Sequence, residues 1–330
     1  MDALDTASAE RVIPRYRSLL WHWFTRWFRP ARRAAAAPLP SVDAGQIGIS
    51  FGGHSTVLLR YANLAIVCDP MLGRWCRGIR REVQPGLSPA ELDDVDLILI
   101  SHDHPDHLHV PTLARLPRAA TVIVPPFSAR RISSLGFSRV VELAVGQSVE
   151  HRGVDIATSA VRHGTARRPG LAFVIRGDGP SLFFCGDSGY FSGFEDVGRR
   201  YRPDIALLPI GGYAPASFRD HHMSPADALR AFDDLRARVL IPHHHGAFAL
   251  SYERLDDPER WLRRLIAEGD LEARVELMEP GESILYSRVR VRDRAPARSV
   301  LDAEAEAGWE VDIGGPDLQL PDFVSTVSLP

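Results

Sequence analysis

The 330-residue chain contains no lysine; all 39 of its basic residues are arginine. That removes a lysine nucleophile and the lysine of a phosphate-binding loop from the chemistry open to it. Cysteine is nearly absent. Cys68, Cys76 and Cys185 form no C-x-x-C pair and are odd in number, so they read as reduced thiols of a cytosolic protein rather than a disulfide framework. Asparagine occurs once, at Asn63, in a chain rich in Ala, Gly and Pro, as in the translation of a GC-rich coding sequence. No apolar run reaches the roughly 20 residues of a membrane-spanning helix. A dominant charge is missing as well: the net charge of -3 gives no global sign of nucleic-acid binding.

What is present suggests one large domain with appended ends. Residues 1–45 hold an Arg- and Trp-rich segment and the linker "ARRAAAAPLP". From residue 46 to 287, short β-rich runs alternate with helical patterns. "IGISF", "STVLLRY", "LAIVCDP", "VDLILIS" and "TVIVP" read as strands, "PADALRAFDDL" and "DPERWLRRLIAEG" as helices. Two strand clusters on either side of about residue 130 imply sheet packed on sheet, with helices outside. Residues 288–330 read as a polar tail.

Within eight residues the chain places His102, His104, His107 and His109, with Asp103 and Asp106 between them. The apolar strand "VDLILI" leads into this segment, and Pro105 prevents an immediate helix. On an extended backbone His102 and His104 point to one side and can share a metal ion. Asp106 and His107 then face a neighbouring point. Four ligands so close do not fit one tetrahedral site, so the spacing argues for two adjacent metals.

The run His102-Asp103-His104-Pro105-Asp106-His107 resembles the H-x-H-x-D-H signature of the metallo-β-lactamase superfamily. The resemblance implies an α/β fold, a four-layer αβ/βα sandwich, and asks for three further ligands at strand ends. "GVDIATSAVRHG" supplies His163 and "SLFFCGDSGY" supplies Asp187. "ARVLIPHHHGAF" supplies three candidates, of which the family's H-x-G-x-F pattern selects His244, with His243 and His245 the alternatives. In the family, His102, His104 and His163 would hold one ion and Asp106, His107 and His244 the other, with Asp187 bridging. Two Zn²⁺ ions are expected, and the donor types also suit Mn²⁺ or iron. A water acidified between the two metals would be the hydrolytic nucleophile. Asp106 is the candidate for handling the leaving-group proton, and Asp69, in "VCDP", for a carboxylate behind a ligand histidine.

A narrower resemblance covers about residues 52–250. "GHSTVLL", "DPMLG", "FFCGDSGY", "PDIALLPIGGYAP", "HMSPADA" and "HHGAFAL" are similar to the phospholipase D branch that hydrolyses N-acyl-phosphatidylethanolamine, and to the related ascorbate-phosphate lactonase type. This resemblance implies a phosphodiesterase acting on such a phospholipid, with a lactonase or other ester hydrolase as the alternative. It carries His222 over as a catalytic candidate and His54 as a site-lining one. Arg162, with Arg167 and Arg168, is a candidate phosphate clamp. After His163 the segment "HGTARRPGLAF" is shorter than in the phospholipases. Nucleic-acid processing is disfavoured for want of a basic, aromatic platform, and a di-iron redox centre because no ligand histidine is replaced by a carboxylate.

The last candidate lies at the N-terminus. Between Arg11 and Val42 there are seven Arg and no acidic residue, and Trp21, Trp23 and Trp27 fall within seven positions. Wound as a helix, Tyr16, Leu19, Leu20, Trp23, Phe24, Trp27 and Phe28 share a face, while Arg15, Arg26 and Arg29 take the other. Residues 15–33 are therefore expected to lie on an anionic membrane surface, at the inner face of the membrane.

Overall fold

The computed structural model describes residues 31, 32, 34, 41–292 and 326–328. The amphipathic reading of residues 15–33 thus falls, except at Ala31 and Arg32, outside the described residues. In chain order the strands are β1 (Gln46–Gly53), β2 (Thr56–Tyr61), β3 (Leu64–Cys68), β4 (Trp75–Cys76), β5 (Ile79–Arg80), β6 (Leu97–Leu99), β7 (Thr121–Val124) and β8 (Arg139–Glu142). They continue with β9 (Ser148–His151), β10 (Val154–Ser159), β11 (Gly164–Thr165), β12 (Arg168–Pro169), β13 (Ala172–Arg176), β14 (Leu182–Phe184), β15 (Ile205–Pro209), β16 (Val239–His243), β17 (Ser283–Ser287) and β18 (Thr326–Ser328). Three helices cover the second sheet: α1 (Gly193–Tyr201), α2 (Pro225–Asp234) and α3 (Asp257–Gly269).

One seven-stranded sheet has the order β17-β1-β2-β3-β6-β7-β8, the other β16-β15-β14-β13-β10-β9-β18. Alternation of side chains explains the layers. Leu64, Ile66 and Cys68 of β3 and Leu97 and Leu99 of β6 meet Leu182, Phe184, Ile205 and Leu207 in the core between the sheets. The intervening Ala65, Val67 and Ile98 face outward, onto Leu92, Leu108 and Leu113. On the far side, Phe183, Ala206 and Leu208 pack against Phe194 of α1, Phe232 of α2 and Leu262 of α3. The result is the expected four-layer sandwich. Its central strands are buried on both faces, which is why they read as unbroken apolar runs.

The order of the strands positions the site. β3, β6, β7 and β8 run parallel, as do β14, β15 and β16. Their carboxyl ends open into loops at one edge, where open α/β sheets characteristically bind ligands.

The described residues near the ends of the chain make contacts of their own with the domain. The N–H of Arg32 donates to the Glu82 carbonyl at 2.9 Å and its carbonyl accepts from Gln84 N–H at 2.8 Å. Two short elements lie within residues 288–330. Arg288–Arg292 forms a helical turn, and Thr326–Ser328 pairs in parallel with β9. An open sheet edge, with its unpaired backbone groups, accepts such a strand regardless of the polar sequence around it.

Candidate metal centre

β6 ends at Leu99, and the chain turns through Ser101 into the histidine motif. Nε2 of His102 lies 3.0 Å from Nδ1 of His104, which lies 3.2 Å from Nε2 of His163, arriving from the opposite sheet after β10. These three nitrogens form one candidate ion-binding group. Asp106, His107, His244 and His54 form a second.

Asp187 stands between the two. Its Oδ2 is 3.6 Å from His102 Nε2 and 3.2 Å from His107 Nε2, and its Oδ1 is 3.3 Å from His244 Nε2. Gly186 makes this approach feasible. Its φ is +68°, and a Cβ there would fall 2.4 Å from Cβ of Ser101 on the facing sheet. Only glycine lets the two strand ends come so close.

The donors fit metal ions. A tetrahedral ion with bonds near 2.0–2.1 Å has ligand-to-ligand edges of about 3.3 Å. In the second group, Asp106 Oδ2 lies 3.5 Å from His107 Nε2 and 3.6 Å from His244 Nε2. His107 Nε2, His244 Nε2 and Asp187 Oδ1 are buried without a hydrogen-bond partner among the described residues. Buried polar atoms seldom stay unsatisfied, so three converging at ligand spacing mark a place for cations.

The opposite ring nitrogens are held by oxygen acceptors. His107 Nδ1 lies 2.7 Å from Asp69 Oδ2, His163 Nδ1 2.9 Å from the His221 carbonyl, and His244 Nδ1 3.3 Å from the Gly211 carbonyl. His102 Nδ1 lies 3.0 Å from Ser101 Oγ, which donates in turn to Asp69 Oδ2 at 2.6 Å. With Nδ1 assigned the proton, each Nε2 turns its lone pair to the centre. Asp69 is fully buried and also accepts from Ser101 N–H at 2.7 Å.

Charge divides the two groups. Burial, joined by like-charged neighbours, holds His102 well below the ordinary histidine range and lowers His104 and His163 too. Burial also opposes charge on His107, but Asp187, Asp106 and Asp69 together raise it well above that range. His244 is raised in the same way, burial being outweighed chiefly by Asp187. Burial favours the neutral form of Asp106 and Asp187, yet the surrounding histidines, His107 foremost, hold both carboxyls well below their usual values.

The three consecutive histidines separate cleanly. His243 continues the inner face of β16, fully buried, its ring stacked 5.2 Å from that of Phe184. His245 stacks on Phe51. His244 alone meets the site. It does so from a left-handed turn, φ +58°, rather than by the plain alternation of an extended strand.

His222 lies beside the centre, with Nδ1 3.7 Å from Asp187 Oδ2 and burial pushing its pKa down to about 3. It is held by the start of α2, where Ser224 and Asp227 form a reciprocal cap and Asp227 also accepts from Arg219. Arg162 lies next to His163 in the chain, at the edge of the centre. Its guanidinium donates to Asp220 Oδ1 at 2.7 Å, in an ion pair whose carboxylate is exposed. Arg168 is likewise engaged, 3.3 Å from Asp103, and Arg167 is exposed on the β11–β12 hairpin.

Sequence reasoning placed His54 only as site lining, whereas its Nε2 lies 3.1 Å from Asp106 Oδ2. The Gly-His pair at a turn carried no signal of that contact. It also left His109, the motif's fourth histidine, unexplained; its Nδ1 accepts from Thr112 N–H and caps a helical turn at Val110–Leu113.

The family described as the beta-lactamase superfamily domain matches residues 65–245. An uncharacterized protein of Mycobacterium tuberculosis is 32% identical over 295 residues, covering 81% of this chain and 77% of that protein. A UPF0173 metal-dependent hydrolase of Aeropyrum pernix is 30% identical over 251 residues, covering 71% and 96%. Among solved structures, the metallo hydrolase Igni18 of Ignicoccus hospitalis superposes with a TM-score of 0.59 at 22% identity, over 73% of this chain and 99% of that one, which speaks to the fold. With the matched span running from β3 into the His244 turn and enclosing every candidate ligand except His54, the chain belongs to the metallo-β-lactamase superfamily, as a relative of its UPF0173 metal-dependent hydrolases.

Proposed function

We propose that this metal-dependent hydrolase is a phosphodiesterase working with two zinc ions, and that its substrate is a phospholipid of the N-acyl-phosphatidylethanolamine kind. The observation that carries the two-ion reading is the position of Asp187, within 3.6 Å of imidazole nitrogens from both groups. His102, His104 and His163 would hold one ion and Asp106, His107 and His244 the other, with the Asp187 carboxylate shared between them. Bound there, two divalent ions acidify a water and polarise the scissile group. Asp106 is the candidate for handling the leaving-group proton, and the neutral His222 ring for donating a hydrogen bond to the substrate.

Lipid as substrate is supported by the motif resemblance and by the surface around the site. Among the described residues, five large hydrophobic side chains are exposed, and four of them, Trp75, Phe127, Phe218 and Tyr252, lie in the connections after the carboxyl ends of β3, β7, β15 and β16, at the same edge of the sheets as the site. Such a rim suits a substrate presented at an interface. No helix among the described residues is long and apolar enough to cross a membrane, so attachment would rest on the rim and on residues 15–33.

The test is a panel of N-acyl-phosphatidylethanolamine vesicles, a soluble aryl phosphodiester and a lactone, run beside metal analysis. Cleavage of both phosphodiesters, lost in His102→Ala and Asp187→Ala, is the expected result. Lactone turnover with both phosphodiesters untouched would overturn the substrate reading in favour of an ester hydrolase.

A further inference from the structure

The turn between β1 and β2 does more than reverse the chain. Gly53 and His54 are both left-handed, with φ of +84° and +59°. Gly53 pairs with Thr56, so His54 and Ser55 form the two-residue turn; its first position, at positive φ, favours Gly, and a histidine there is strained. Strain retained beside a site is a pointer to function. From this position the histidine makes two contacts with the second ion-binding group. Its Nε2 lies 3.1 Å from Asp106 Oδ2, and its backbone carbonyl accepts from His244 N–H at 2.8 Å. The ring is buried, 4.5 Å from the ring of His244 and edge-on to Phe248. No residue of the first group touches this turn among the hydrogen bonds described.

We propose that His54 is a positioning residue for the second metal alone: it fixes Asp106 through its side chain and the His244 turn through its carbonyl. Nε2 carries the proton, because its partner is a carboxylate that can only accept. Asp106 and His244 enter from opposite sheets, and His54 is the side chain that sets their spacing. This inference rests on the two-ion reading given above.

Two substitutions separate positioning from a merely structural turn. The amide nitrogen of Gln stands near the place of a histidine Nε2, whereas that of Asn stands near Nδ1 and falls short of Asp106. Asn is, however, the better residue for a left-handed turn. Metal content and affinity of the full chain are measured by chelator competition with Zn²⁺, and the melting temperature is measured on the metal-free protein. His54→Asn is expected to weaken one of two ions by about 10–100-fold, with the first ion unchanged and the metal-free protein melting at or above wild type. His54→Gln is expected to keep both ions within a few-fold of wild type. Wild-type affinity for both ions in His54→Asn overturns the proposal. So does loss of the second ion in both variants: with melting unchanged it makes His54 a direct ligand, and with melting lowered a structural one. Wild-type protein that takes up fewer than two ions defeats the two-ion reading itself, whatever the variants do.

Discussion

His243 and His244 are chain neighbours in opposite surroundings. His243 has both ring nitrogens buried without a partner among the described residues, against Phe184 in the core between the sheets. Burial holds it well below the ordinary histidine range, so it is neutral and its polar atoms are simply desolvated. A buried polar group left unsatisfied costs on the order of 1–3 kcal/mol. His243→Leu is therefore expected to leave metal content unchanged and to hold or raise stability by about 1 kcal/mol, read by thermal melting beside metal analysis. His244→Ala should do the reverse, releasing one ion of two with a smaller effect on the metal-free melt. Equal metal loss from both variants would show that the ring of His243 also reaches the centre. Three site residues, His54, Asp69 and His244, sit at positive φ, where side chains other than Gly and Asn are strained. Loop backbone, not strand alternation, does the aiming here.

At the scale of elements, the loop after β6 carries ligands for both ions, but the two sets meet different fields. His102, His104 and His163 are lowered, burial being the leading cause, and present free lone pairs at neutral pH. His107 and His244 are raised by Asp187 and its neighbours against the effect of burial, so in the metal-free cluster they keep protons that an incoming ion must displace. Lower pH then favours the protonated, metal-free second group. Titrating the loaded protein from about pH 8 to about pH 6 should release the second ion before the first, followed by metal content after gel filtration. Simultaneous release would mean that the bridging Asp187 makes the two sites one unit. Much of this candidate centre was legible beforehand because H-x-H-x-D-H is contiguous and because the family resemblance asked for His163, Asp187 and His244, each just after an apolar strand. The partners of the outer nitrogens were not. The carbonyls of His221 and Gly211 are backbone atoms, which no residue type announces. The engagement of Arg162 by Asp220, 58 positions away, depends on loop packing that periodicity does not encode.

Across the whole molecule, each ion group draws on both sheets. His102 and His104 come from the first sheet and His163 from the second; Asp106 and His107 come from the first and His244 from the second. Ions held there tie the two sheets together, and their binding free energy adds to the stability of the native state. At a free concentration of about 1,000 times Kd, each ion contributes about 4 kcal/mol. For a domain of this size that is roughly 8–16 °C in Tm. Removal of metal by a chelator should lower Tm by at least one such step, and returning Zn²⁺ should restore it. A melt indifferent to chelation would mean that the sheets' own core sets the stability. Sheet packed on sheet followed from strand patterning and the four-layer sandwich from the family resemblance, but the placement of β17 from neither: Ile284 pairs with Ile49, across nearly the whole domain. This pairing has a consequence in time. On a ribosome adding about 5–20 residues per second, β1 waits roughly 10–50 s for its outer neighbour to be made. A chain stopped just after residue 250 would already hold every metal-facing side chain while β1 still offered an open edge to other nascent chains.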